Sequence, residues 1–102
     1  MFEGIGMIFT LNIETNFSPQ EVTEAIRSAI EHEKHVARYK VKRYSVICRD
    51  FETKFGFSSA ELQAKIEAPS RSKESNFFDW YAAKKGLEHW NKRLEILSGI
   101  SF

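Results

Sequence analysis

The chain is 102 residues long, 42% apolar, 14% aromatic and 28% charged, with a formal net charge of +1 at pH 7. That length is a single domain, its apolar content is too high for a disordered chain, and its near-neutral balance excludes nucleic-acid binding through overall charge. One Cys forms no internal disulfide, which fits a reducing cytoplasm; no apolar run reaches the ~20 residues of a membrane span, and the opening MFEGIGMIFTLNIE lacks the basic start of an export signal.

Met7 to Glu14 alternates, with Met7, Phe9, Leu11 and Ile13 on one face and Ile8, Thr10, Asn12 and Glu14 on the other. Period two predicts a β-strand with one apolar face. A lone strand is unstable, so it must pair with another copy, pair with another protein, or lie on helices as an arm. Its polar face carries no Arg or Lys, and Glu14 would repel phosphate, so it is not a base-reading ribbon.

Ser18-Pro19 then opens a helix. Ser18 is the N-cap, Pro19 takes the first helical position and Glu21 the third, which together make a capping box. No Gly or Pro follows until Gly56. Val22, Ile26, Ile30, Glu33, Ala37, Val41, Tyr44, Cys48, Phe51 and Phe55 recur by fours and threes, forming one helical stripe. The predicted helix spans about 19–55 and is roughly 54 Å long. The rest of the chain is too short to cover it. Either it breaks near Tyr39–Ile47 or its stripe packs on a second copy; the unbroken helix in a homodimer is the preferred reading.

Gly56 ends this helix as a left-handed cap. Ser58 and Glu61 form a second capping box, and Phe57 can staple onto Leu62. A short helix is predicted over about 59–68, stopped by Pro69. Ser70 to Ser75 is a polar loop. A C-terminal helix follows over about 77–98, capped by Ser75 or Asn76, with Asp79 in its first turn. On it Phe77, Trp80, Ala83, Leu87, Trp90, Leu94 and Leu97 fall on one seam, widened by Phe78 and Tyr81. That seam is expected to pack on the long helix, and its aromatics are also candidates for a partner surface. Gly86 costs about 1 kcal/mol against Ala inside a helix, which points to a close helix crossing.

Candidate chemistry is sparse. In His32-Glu33-Lys34-His35 the two His are three apart, whereas a zinc-protease helix needs them four apart. Cys48 has no His nearby in sequence and reads as packing. No paired carboxylates and no Gly-rich phosphate loop occur, so neither an enzymatic activity nor a cofactor nor a metal site is expected. Lys34, Arg38 and Lys42 form an i, i+4, i+8 row with Arg43 beside it. These four could contact nucleic-acid phosphate or an acidic protein, or face the acidic opening of the same helix in an antiparallel pair.

DFETKFGFSSAEL (Asp50–Leu62) followed by NFFDWYAAKKGLEHWNKRLEIL (Asn76–Leu97) resembles small prokaryotic antitoxin-like proteins. The shared pattern is a long helix ending in an aromatic-Gly turn, a Ser-capped short helix, a polar loop and a D-W amphipathic helix. It covers about half the chain, Arg49 to Leu97. The resemblance implies a non-enzymatic protein that binds and neutralises a toxin-like protein encoded nearby. Phe77, Phe78, Trp80, Tyr81, Leu87 and Trp90 are then the expected contact residues. Such proteins can also bind their own operator, and the basic row would serve there. The expected fold is mostly α with an N-terminal strand, probing no membrane and assembling as a dimer.

Overall fold

The computed structural model describes residues 8–67 and 75–101. Three helices follow one another: α1 (Pro19–Phe55), α2 (Ser59–Glu67) and α3 (Ser75–Ser98). The expected polar loop and the stop at Pro69 fall outside the described residues, apart from Ser75, which already belongs to α3.

The α1 start follows from its local chemistry. Glu21 N–H donates to Ser18 Oγ at 3.1 Å, and Ser18 N–H donates to the Glu21 carboxylate at 3.1 Å. Both halves of the capping box are therefore made, with Pro19 in the first turn. The helix then runs 37 residues without a break, so the β-branched stretch Tyr39–Ile47 does not interrupt it. Each residue of the predicted stripe is buried or half-buried. Gly56 ends the helix at φ 79°, and its N–H donates to the Glu52 carbonyl at 2.8 Å. Left-handed backbone of this kind is where glycine is favoured.

At α2 the capping box is only half made. The Glu61 carboxylate accepts from Ser58 N–H at 3.0 Å, while the Ser58 hydroxyl donates to that carboxylate instead of accepting from the helix. The orphan N–H of Ser59 is taken by Glu52 of α1, at 2.8 Å. Phe57 packs on the cluster that contains the fully buried Leu62.

α3 runs back antiparallel to α1. Trp80 stacks on Phe51, the Tyr44 ring covers Gly86, Lys40 lies over Trp90, and Arg93 pairs with Glu33 at 3.1 Å. This pairing accounts for Glu33 within an otherwise apolar stripe. All seven seam positions of α3 are buried or half-buried, so the seam faces α1. A Cβ built on Gly86 would lie 2.9 Å from two carbons of the Tyr44 ring, which only a residue without a side chain permits. Ser75 and Asn76, expected as caps, are already helical; helix ends read from sequence are uncertain by this much.

The expected N-terminal strand is not formed within the described chain. Residues 8–14 carry no strand pairing; Met7 lies outside the described residues. Alternation supplies an apolar face but no ladder partner, and the described chain contains no second strand to bond it. The molecule is elongated, 62 × 30 × 20 Å. Ile100 and Ser101, just past the end of α3, lie beside Arg27, Ile30 and Glu31, so the first two turns of α1 project beyond α3.

Candidate functional site

The α1–α2–α3 junction holds the tightest chemistry. Trp80 is fully buried among Phe51, Phe55, Phe57 and Phe77, with ring centroids 4.8–6.2 Å away. Its indole N–H donates to Ser59 Oγ at 2.8 Å, which meets the demand of a buried indole for an acceptor. Ser59 thus bonds α1 through its N–H and α3 through its hydroxyl. The Glu52 carboxyl sits below its ordinary range, first because Ser59 N–H bonds it and second because the Ser59 side chain does. The capping-box spacing marks Ser58 rather than Ser59 as the cap, and no local signal ties a serine to an indole 21 residues away.

The six expected contact residues separate into different environments. Trp80 has no exposed surface. Phe77 meets Phe55 edge-on at 5.1 Å and is half-buried. Leu87 packs against the core cluster. Trp90 is half-buried, with Lys40 6.0 Å over its ring and His89 edge-on at 5.1 Å. Phe78 alone is mostly outside, 54% exposed. Tyr81, three residues on, is half-buried with Lys85 5.4 Å over its ring. Phe78 and Lys85 therefore form an outward edge of α3, with Tyr81 packed on the core cluster between them.

The basic row also divides. Lys34 pairs with Glu31 at 3.3 Å, and its side chain is largely covered. Arg38, Lys42 and Arg43 are exposed and have no ion-pair partner among the described residues. The acidic opening of α1 does not reach them within one chain. Lys42 and Arg43 flank a groove of about 440 Å³ with Tyr39, Val46 and Ile47. Tyr39 and Val46, seven apart on the outer side of α1, were not singled out from sequence; their i, i+7 spacing was the available signal.

No group of three or more His, Cys, Asp or Glu is placed to hold a metal ion among the described residues. Cys48 is buried, and desolvation raises its thiol pKa, which suppresses the thiolate needed for attack. Among the described residues no helix is long and apolar enough to cross a membrane.

No protein-family model matches the chain, and neither a curated protein nor a solved structure matches it.

Proposed function

We propose that this chain is a non-enzymatic, antitoxin-like binding protein that acts as a homodimer and neutralises a small protein encoded beside it. The observation that supports the reading is the division of α3. Its inward seam builds the hairpin, while Phe78 and Lys85 stand exposed on the outer edge, beside a half-buried Tyr81. Aromatic side chains on a rigid element are the residues that dominate protein interfaces. Trp80 is excluded from direct contact by its burial, so its role in binding is to hold the edge in place.

The test is recovery of tagged protein from its native host, in the original form and as Phe78→Ala. A stoichiometric small protein from the neighbouring gene, with affinity falling at least tenfold in the variant (about 1.4 kcal/mol) and helicity unchanged, supports the proposal. Equal binding by the variant removes Phe78 from the contact. Recovery of the chain without such a protein removes the antitoxin-like reading.

A second reading is favoured by the unpaired cations Arg38, Lys42 and Arg43 beside the exposed Tyr39. Binding of duplex DNA or single-stranded RNA through them would weaken steeply as salt rises. Affinity unchanged between low and high salt eliminates it.

A further inference from the structure

Residues 8–17 expose more apolar surface than any other described segment. Ile8 is 96% exposed, Phe9 83%, Leu11 67%, Ile13 47% and Phe17 69%. At the base of this arm a cavity of about 290 Å³ opens between Ile13, Phe17, Pro19 and Val22. Beneath it run the first turns of α1, which α3 does not reach. The arm and the open end of the hairpin therefore leave one continuous apolar region uncovered.

Deepening the homodimer reading above, on which it rests, we infer that the arms of two copies pair as an antiparallel ribbon centred on Leu11. The ribbon lies across the projecting first turns of both α1 helices. Directly opposed residues in an antiparallel pair share a face. Centring on Leu11 sets Leu11 against its own copy and Phe9 against Ile13, so all three apolar pairs fall on one side. Thr10 meets Asn12 on the other. Within Ile8–Glu14, moving the centre to Thr10 or Asn12 keeps the faces but leaves two apolar pairs in place of three. Glu14 is the only charged residue from Ile8 to Phe17, and in this register it stands opposite Ile8 rather than another carboxylate. The two strands thus approach without like-charge opposition.

The α1 turns are needed to complete the area. Large apolar side chains carry on the order of 150 Å² each, so Phe9, Leu11, Ile13 and Phe17 amount to roughly 400 Å² per chain at their exposures. Two arms supply roughly 800 Å², and the first turns of α1 bring the total toward the ~1,000 Å² lower bound of a specific interface. A two-stranded ribbon alone is marginal and needs a helix layer. Seven paired residues span about 23 Å, enough to cross two helices of 10–12 Å diameter side by side.

Sedimentation equilibrium and cysteine linkage test this together. The expected mass is twice 11.9 kDa, falling to one chain in Leu11→Asp with helical circular dichroism retained. Cys48 is buried and provides a silent background. Leu11→Cys should link to itself under mild oxidation, because opposed Cα atoms lie about 4.5–5.5 Å apart, within disulfide reach. Phe9→Cys should link to Ile13→Cys in a mixture but not to itself, since its two copies are about 14 Å apart along the ribbon. A single-chain mass up to ~100 µM overturns both this inference and the homodimer reading. A dimer that survives Leu11→Asp overturns the ribbon and leaves the pairing of copies standing. Self-linking of Phe9→Cys overturns the register.

Discussion

The two ends of the helical hairpin are built by opposite rules. At the junction end, four Phe rings surround Trp80, its N–H is bonded by Ser59, and the Ser59 N–H is bonded by Glu52. Large side chains there have partners within the chain. At the open end α1 outruns α3, and Ile8, Phe9 and Leu11 are exposed above it. One end spends its aromatic residues on folding. The other leaves its apolar residues exposed. The difference teaches that aromatic content by itself does not locate a binding surface; the Trp-bearing helix mostly faces inward, and the least structured segment carries the uncovered surface.

Several substitutions would break that contrast. The largest effect belongs to Trp80→Ala, which empties the junction and leaves Ser59 Oγ without its donor. Urea unfolding should show a loss of about 3–5 kcal/mol, a large part of the 5–15 kcal/mol typical of a domain. Phe9→Ser in the isolated single chain should change stability by about 0.5 kcal/mol or less. Comparable losses for the two would mean the open end is also core.

Gly86→Ala comes next. The substitution gains helix propensity of about 1 kcal/mol, yet its Cβ meets the Tyr44 ring at 2.9 Å. Overpacking should prevail, with a net loss of about 1–3 kcal/mol. In a Tyr44→Ala background the same substitution should become neutral or favourable; a double-mutant cycle showing no coupling would deny the close crossing. Ser18→Ala should cost about 1 kcal/mol. If the ends are independent, faster amide exchange will appear in the first turns of α1 and leave the Trp80 region protected.

The smallest effect is one of pH. Glu52 has a folded pKa lowered from its ordinary 4.5 by its bonds to Ser59. Its contribution to stability is therefore present above the unfolded value and is lost as pH falls through the folded one. Glu52→Gln should flatten the acid limb of the stability curve in that range, as read by thermal melts. An unaltered pH slope would show that the Ser59 bond contributes nothing to the junction.

The sequence carried much of this fold because much of it is local. Ser18 and Glu21 are three apart, so their reciprocal bonds could be read directly. The α1 stripe and the α3 seam each hold a helical period throughout, and Gly86 announced a close approach. The missing parts depend on contacts between residues distant in sequence. Nothing near Ser59 indicates that it will accept from Trp80. Alternation from Met7 to Glu14 defines a face, but a strand also requires a neighbour, and none exists in the described chain. The expected contact residues include both Trp80 and Phe78, which are two positions apart and so roughly 160° apart around the helix. That spacing already sets them on opposite sides, and accordingly Trp80 is dry while Phe78 is mostly wet.

The two tryptophans give the molecule a pair of built-in optical probes, one for each part of the hairpin. Trp80, enclosed and hydrogen-bonded, should emit at short wavelength and resist iodide. Trp90, half-buried beneath Lys40 and against the His89 ring, should emit to the red and be quenched. Two spectral components from one chain can therefore report separately on the junction and on the stretch nearer the open end, without any attached dye.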